Sequence, residues 1–305
     1  MLDEKGLLPH QPSYRIPRDA VGARPEGEPP AGTVRLAWLS LVALRYHFWQ
    51  VLLFVLLAGL GYLFPMLAVA LLAAWLTQAG LPWAAYLTYI ALWPVTVPLG
   101  AGLSHAILLV IQGYRPPGDE VWRPLLSLRL YGKVLAAGLP AAAVMWAAAF
   151  VPMLAHMGPR VKALVGCEPW GTWLGALPGA LVAQIVALPF VFAALDAVAT
   201  WSPPGRSLRR GLRFARRAPA LLLGLGAVNI AFAALVLLGL ACLRTRQAWH
   251  PEGLLWSTAV LFGGLAVVAV SVALGSVLCP VFYREFVWRE RERDAAGRPA
   301  ALESA

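Results

Sequence analysis

The sequence is poor in charged residues, which make up 13% of its 305 positions, against about 25% in an ordinary soluble domain. Acidic residues are the scarcer kind, with 15 Asp and Glu against 25 Lys and Arg. Hydrophobic residues reach 60%, which also excludes intrinsic disorder, because disorder requires low hydrophobicity. The composition therefore predicts an integral membrane protein that crosses the bilayer several times.

Cysteine and catalytic motifs are scarce as well. The three cysteines form no Cys-x-x-Cys pair of the kind that binds metals or exchanges disulfides. The patterns H-E-x-x-H, G-x-x-x-x-G-K-[ST] and G-x-S-x-G do not occur, nor does a spaced pair of intramembrane carboxylates. We therefore expect no enzymatic activity, no catalytic residues, no metal site and no cofactor.

Both ends of the chain are polar. Residues 1–35 are rich in proline and glycine and lack the apolar stretch of a signal peptide. We expect them to form a solvated, flexible cytoplasmic tail, and residues 289–305 to form a second, charged one. The membrane domain is predicted over residues 36–288.

Six apolar stretches in this domain exceed the roughly 20 residues that a helix needs to cross the hydrocarbon core. They cover approximately residues 49–77, 83–112, 132–156, 172–200, 219–243 and 254–282. Internal prolines in the first, second and fourth predict tilted or kinked helices. A re-entrant break near Pro94 and Pro98 is a less favoured alternative, because proline is common in membrane helices. The predicted fold class is all-α, with six transmembrane helices arranged as three hairpins.

The basic residues predict the orientation of the chain. If the N-terminus is inside, 21 of the 25 Lys and Arg fall on inner segments. Such an excess is the usual mark of cytoplasmic loops. We therefore expect a multi-pass protein of the cell (inner or plasma) membrane with both termini in the cytoplasm.

An internal repeat runs through the three predicted hairpins. A Leu-Arg pair occurs at positions 44–45, 128–129 and 212–213, so both intervals are 84 residues. An aromatic residue follows each pair, and a proline-rich turn precedes it (PPAG at 29–32, RPPG at 115–118, SPPG at 202–205). General placement of arginine and proline at inner helix starts explains the residue types but not the equal spacing. The pattern predicts three repeats of about 84 residues that stack in the same orientation.

The segment LDAVATWSPPGRSLRRGLRFARRAPALLLGLG (195–226) and the ending PVFYREFVWRERERD (280–294) carry a family resemblance. They are similar to the cytoplasmic crossover and the final span of YciC-like proteins. These are six-helix bacterial and archaeal membrane proteins of unknown function, and they resemble the membrane domain of some glycerophosphodiester phosphodiesterases. The phosphodiesterase catalytic domain is absent here. The resemblance therefore implies a fold and a membrane location, and no activity.

A basic amphipathic segment lies between the fourth and fifth predicted spans. At helical spacing, Leu208, Leu212 and Ala215 face the membrane while arginines reach headgroups and water. Each cation near an anionic surface contributes about 1 kcal/mol. The positive-inside rule alone would also explain such a cluster, and nucleic acid is not expected as a partner, because the cluster has no separate domain. The predicted headgroup contacts are Arg209, Arg210, Arg213, Arg216, Arg217, Arg45 and Arg129.

Four polar residues fall within the predicted spans, namely Asp196, His105, Gln184 and Asn229. A charge at the bilayer centre costs at least about 2.5 kcal/mol, so such residues are candidates for function. Asp196 is either a relay or substrate handle, or, as we favour, half of a structural ion pair with an inner arginine such as Arg213 or Arg45. His105 is expected to be packed or hydrogen-bonded, with Ser104 as a nearby partner.

These observations favour a non-enzymatic membrane protein. It is expected to engage anionic lipids or to act as a scaffold or partner subunit for another membrane protein. The alternative is a transporter or channel for a small molecule or lipid, with a sparse polar path near Asp196 and His105. A membrane enzyme of lipid metabolism ranks last.

Overall fold

The computed structural model describes residues 29–81, 87–156, 169–229 and 254–296, together with Val21, Arg24, Ala84 and Ala231. Every regular element in these ranges is helical, which confirms the all-α class. The seven main helices are α1 (Thr33–Gln78), α2 (Trp93–Ile111), α3 (Leu128–His156), α4 (Pro169–Ala199), α5 (Pro204–Arg217), α6 (Pro219–Asn229) and α7 (Leu254–Ala296). Short 3₁₀ turns at Tyr89–Leu92 and Gly118–Val121, and one helical turn at Arg123–Leu126, connect them.

Two helical segments of the described chain are long and apolar enough to cross a membrane, Thr33–Gln78 and Ile90–Ile111. The most apolar window of the first is only 11% buried within the protein, against 56% for the second. The apolar segments Ile185–Ala199 and Pro219–Asn229 are shorter. Length and composition thus make α1 and α2 compatible with a membrane location.

In α1 and α2 the internal prolines do not break the helix. The break inside α1 is at His47, whose backbone is non-helical, whereas the helix continues through Pro65. Pro94 occupies the first turn of α2, where no intrahelical N–H is needed, and α2 continues through Pro98. The described residues therefore contain no re-entrant break at 94–98.

The helical backbone is interrupted next to each of the three predicted amphipathic segments, but the interruptions differ in position and geometry. The first is the kink at His47, the second is the extended Ser127 between the Arg123–Leu126 turn and α3, and the third is Ala218 between α5 and α6. Ala218 precedes Pro219, and a residue before proline avoids the helical region. The equal spacing of the Leu-Arg pairs is thus not matched by equal spacing of the breaks.

Small residues bring α2, α3 and α4 together. Their shared core consists largely of alanine and valine, namely Ala101, Leu130, Val134, Ala137, Ala193, Ala194, Ala197 and Val198. An added Cβ at Gly138 of α3 would lie 2.4 Å from Val97 and 3.1 Å from Ala194. Such close approach is typical of helix packing in membranes, where small residues let backbones meet.

A second core joins α4, α5 and α7 through aromatic rings that pack edge to face. The ring of Phe214 lies 4.4 Å from that of Phe192 and 4.7 Å from that of Phe286, both edge-on. Tyr283 completes the group at 6.0 Å from Phe192. Edge-to-face rings at these distances are favourable beyond their buried area, so this cluster fixes α5 against the two longer helices.

The close contact of α5 with α4 depends on one glycine. A Cβ at Gly211 would lie 2.1 Å from the carbonyl oxygen of Pro189, a backbone atom that cannot move aside. We expect Gly211→Ala to lower the free energy of unfolding by about 1–3 kcal/mol, the usual cost of overpacking.

Gly205 in the first turn of α5 is the matched control, because a Cβ there meets nothing within 4 Å. Gly205→Ala should leave thermal unfolding in detergent unchanged or raise its midpoint slightly, since alanine favours helix. Equal midpoints for the two variants would contradict the packing described for α5.

Candidate functional site

Asp196 lies near the end of α4 and is 1% exposed. Its Oδ1 accepts a hydrogen bond from Nη1 of Arg210 at 2.6 Å and another from the hydroxyl of Tyr283 at 2.7 Å. Its Oδ2 is buried and has no hydrogen-bond partner among the described residues. Three elements, α4, α5 and α7, therefore meet at one carboxylate oxygen.

Arg210 connects this carboxylate to a second one. Its Nε lies 3.0 Å from Oε2 of Glu290, while Nη1 of Arg213 lies 2.6 Å from Oε1 of the same residue. Burial alone would lower the pKa of Arg210, but the charge of Asp196 and the hydrogen bond to it outweigh burial and raise that pKa. The guanidinium stays charged, and the four groups form a balanced network of two cations and two anions.

This network differs in two ways from the sequence-based expectation. Asp196 does pair with an arginine, but the partner is Arg210, and Arg213 pairs with Glu290 instead. Arg210 and Arg213 were both expected at headgroups, yet both direct guanidinium nitrogens toward buried carboxylates. The sequence does offer one indication of these ion pairs, because the acidic residues of the last helix had no predicted partners.

Five of the six arginines of α5, all except Arg210, are exposed. Ser207, Gly211 and Phe214 form the buried face. The exposed arginines, which we call the arginine face, are Arg206, Arg209, Arg213, Arg216 and Arg217. Apart from Arg213, none of them lies within ion-pair distance of a carboxylate in the part of the chain that the structure describes.

Three apolar side chains of α5 were expected to face the membrane together, but the structure places them differently. Leu208 and Ala215 are half-buried and pack against the protein core. Leu212 alone of the three is exposed, at 45%. The expected orientation was wrong for the other two because Gly211 lets α5 lie directly on α4.

Arg45 on α1 and Arg129 on α3 are the other predicted headgroup residues. Both side chains are exposed. They lie at the starts of the two other hairpins in the predicted repeat, and neither helix start carries a cluster of arginines like that of α5.

His105 forms a second buried polar group. Its Nδ1 lies 3.0 Å from Oε1 of Glu120, and Nη1 of Arg123 donates to the same oxygen at 2.8 Å. Burial would raise the pKa of Glu120, but the hydrogen bonds from His105 and Arg123 outweigh it and lower that pKa. An ionised carboxylate only accepts, so Nδ1 of His105 carries the proton and donates.

This group anchors the loop between α2 and α3. Gly102 lies one turn before His105 on α2, and a Cβ there would lie 2.2 Å from the carbonyl oxygen of Val121. The glycine thus admits the loop, and His105 binds its carboxylate. The sequence predicts a hydrogen-bonded His105, and its partner in the structure is Glu120 rather than Ser104.

Asp196 and His105 belong to separate clusters, with no partner residue in common. Asn229 lies on α6 and is half-buried. Gln184 lies on α4, and its side chain is outside the described residues. The described part of the chain contains no group of three His, Cys, Asp or Glu that could hold a metal ion.

A third cluster joins the N-terminal segment to α7, which the sequence analysis did not foresee. Arg24 pairs with Glu285 and Glu292 and lies 5.2 Å above the ring of Trp288. The backbone of Ala31 donates to Glu285 and accepts from Arg289 at 2.7 Å. The expectation of a solvated tail is therefore wrong for this part of residues 1–35, because acidic side chains of α7 bind it.

Comparison of the chain with protein-family models, with curated proteins and with solved structures finds no match.

The geometry separates two chemical roles. The buried networks pair every arginine they contain with a carboxylate, so they hold helices together. Apart from Arg213, the arginine face presents guanidinium groups that no described carboxylate neutralises. It is the part of the described chain best suited to bind an anion.

Loss of the Asp196 carboxylate should destabilise the protein. Asp196→Ala leaves Arg210 with one partner fewer and the buried hydroxyl of Tyr283 without its acceptor. We expect a loss of about 2–3 kcal/mol in the free energy of unfolding, as for other broken buried pairs. The measurement is thermal or denaturant unfolding in detergent.

Asp119→Ala is the control, since Asp119 is an exposed carboxylate in the 3₁₀ turn at Gly118–Val121. It should change stability by less than about 0.5 kcal/mol. A similar small change for Asp196→Ala would contradict the network as described.

The lowered pKa of Glu120 predicts a pH dependence. A carboxylate with a depressed pKa in the folded state stabilises that state above its ordinary pKa of 4.5. This contribution is lost as the pH falls through the folded-state pKa. Stability should therefore fall less steeply below pH 4.5 in Glu120→Gln than in the unsubstituted protein.

Asp119→Asn serves for comparison, because its carboxylate is in the same turn but exposed. Its stability should follow the unsubstituted protein over the acidic range. If Glu120→Gln shows that same acid dependence, the ion pair with Arg123 and the hydrogen bond with His105 are absent in solution.

Proposed function

We propose that this protein is a non-enzymatic, multi-pass membrane protein that engages anionic lipid headgroups through α5. In this proposal six helices span the cell membrane and both termini are cytoplasmic. The arginine-rich segments then lie at the inner surface, where anionic lipids attract basic residues. A protein scaffold or partner role is compatible with the same arrangement.

The observation that carries the proposal is the division of α5 into a packed face and an arginine face. Ser207, Gly211 and Phe214 are buried, and five arginines lie on the opposite side. A basic amphipathic helix of this kind binds anionic interfaces through its charges. Arg210 is excluded from the contact set, since its guanidinium bridges Asp196 and Glu290.

Support for the membrane location comes from α1. Its apolar window is 11% buried in the protein, and large side chains such as Leu60, Phe64 and Leu71 are exposed. Exposed apolar surface of this extent requires an apolar surrounding. Lipid around α1 satisfies that requirement and leaves α5 near the headgroups.

A transporter is the second candidate, and one observation favours it. Oδ2 of Asp196 is buried without a partner among the described residues, and intramembrane carboxylates commonly mark ion or substrate paths. Against it, His105 belongs to a different cluster, so the two predicted polar residues do not share a path.

Native mass spectrometry of protein extracted gently from its membrane tests the proposal. The variant replaces Arg206, Arg209, Arg216 and Arg217 with Gln. With about 1 kcal/mol for each arginine near the surface, we expect anionic lipid to bind at least about tenfold more weakly. Added salt should weaken binding to the unsubstituted protein, because it screens exposed charges.

A charge-matched control replaces the four cations of the predicted outer loops, Arg160, Lys162, Arg244 and Arg246, with Gln. That variant should retain anionic lipid. Equal lipid retention by both variants would refute the proposal, and a small polar solute retained in place of lipid would favour the transporter.

A further inference from the structure

We infer that the arginine face is a site for a lipid with two phosphate groups, which it prefers over single-phosphate lipids at equal surface charge. This inference rests on the proposed function and deepens it by naming the ligand class. It follows from the spacing of the arginines, the fixed orientation of their helix and the side chains beside them.

The arginines form a continuous row. Positions 206, 209, 213, 216 and 217 follow one another at intervals of three or four residues, with a final adjacent pair. Residues so spaced lie on one side of a helix, and neighbours are separated by about one turn, or about 5 Å along the axis. Two phosphates joined by a three-carbon linker can therefore each meet a different arginine of the row.

The row is held in a fixed orientation. On the opposite side of α5, Gly211 lies against the backbone of Pro189 and Phe214 packs between Phe192 and Phe286. Arg210 and Arg213 bind carboxylates of α4 and α7. The helix cannot rotate without breaking these contacts, so the ligand does not have to order the helix that carries the arginines when it binds.

The charges of the row are available. Within the described ranges, Arg206, Arg209, Arg216 and Arg217 have no carboxylate at ion-pair distance. Guanidinium groups bind phosphate oxygens through two parallel hydrogen bonds, which a lysine ammonium cannot do. The row thus offers several geometrically specific phosphate contacts, in addition to positive charge.

Two phosphates on one molecule gain from this arrangement. Once the first is bound, the second meets its arginine at a high effective concentration, so the pair binds more tightly than two separate single-phosphate lipids. This advantage depends on neighbouring phosphate sites at a fixed separation. A flexible cationic tail would respond to surface charge alone.

Two neighbouring side chains indicate a lipid rather than a soluble phosphate. Leu212 borders the arginine row and is 45% exposed, so it can contact an acyl chain. Trp201 precedes α5 and is 43% exposed, with Arg123 lying 5.0 Å above its ring. Tryptophan and exposed leucine beside a basic row are typical of the membrane interface.

The test compares binding of two lipids by the full-length, delipidated protein. One is diphosphatidylglycerol, which has two phosphates joined by a glycerol, and the other is phosphatidylglycerol at the same total phosphate. Binding is measured by native mass spectrometry titration. We expect the unsubstituted protein to prefer diphosphatidylglycerol by about tenfold or more per phosphate.

A variant with Arg206, Arg209, Arg216 and Arg217 replaced by Lys keeps the charge and removes the paired hydrogen bonds. We expect it to bind both lipids but to lose most of the preference. The corresponding Gln variant should bind neither lipid well. The substituted side chains are exposed, and unchanged circular dichroism and unfolding midpoints would establish that the variants fold. The pairwise variants Arg206→Lys with Arg209→Lys and Arg216→Lys with Arg217→Lys are used if the fourfold variant does not fold.

The outcomes separate the two levels of the argument. An unsubstituted protein without preference, or a Lys variant that keeps the full preference, overturns the two-phosphate site but leaves the proposed function standing. A Gln variant that binds both lipids as before overturns both. Complete displacement of diphosphatidylglycerol by an equal concentration of inorganic pyrophosphate would assign the site to a soluble phosphate and overturn the lipid assignment.

Discussion

The position of α5 depends on the double ion pair of Arg210. One guanidinium binds Asp196 at the end of α4 and Glu290 on α7, so α4, α5 and α7 converge on a single side chain. Paired buried charges contribute little net stability, because desolvation offsets their attraction, but an unpaired partner is costly. The network therefore acts mainly by excluding alternative placements of α5. Any rotation of the helix would leave two buried carboxylates without a cation.

This constraint also decides which arginines of α5 can meet a ligand. Six arginines occur within the 12 positions from 206 to 217, and the sequence alone does not distinguish them. In the folded chain Arg210 is used entirely within the protein, and Arg213 is shared between Glu290 and the surface, where it is 43% exposed. The other four remain at the surface. The packing of the buried face of α5 therefore determines which arginines remain at the surface to bind a ligand.

Much of the architecture follows from local sequence signals. Helices occupy the described parts of all six apolar stretches. The helix α5 begins at Pro204 and ends at Arg217, because Ala218 precedes Pro219 and such a residue avoids the helical region. An arginine partner for Asp196 could also be expected, since a buried carboxylate needs a cation. The identity of that partner could not, because it depends on the rotation of α5, which Gly211 and the aromatic cluster determine. The same holds for the pairing of Glu120 with His105 and of Arg24 with Glu285, because these partners lie on other elements and no local pattern indicates them.

The three predicted repeats differ in the structure for reasons visible in their turns. In the third, Pro204 starts a helix and Pro219 ends it, so 14 residues form a separate amphipathic segment. In the second, the corresponding segment is a single turn before Ser127, and in the first it is continuous with α1 up to the kink at His47. A row of arginines on a fixed axis needs a helix of several turns that is anchored on one side. The first segment is also anchored on one side, by Leu36, Ser40 and Leu44, but its arginines are only Arg35 and Arg45. Among the described segments, the third combines an anchored helix with a row of arginines, and its flanking prolines set the limits of that row.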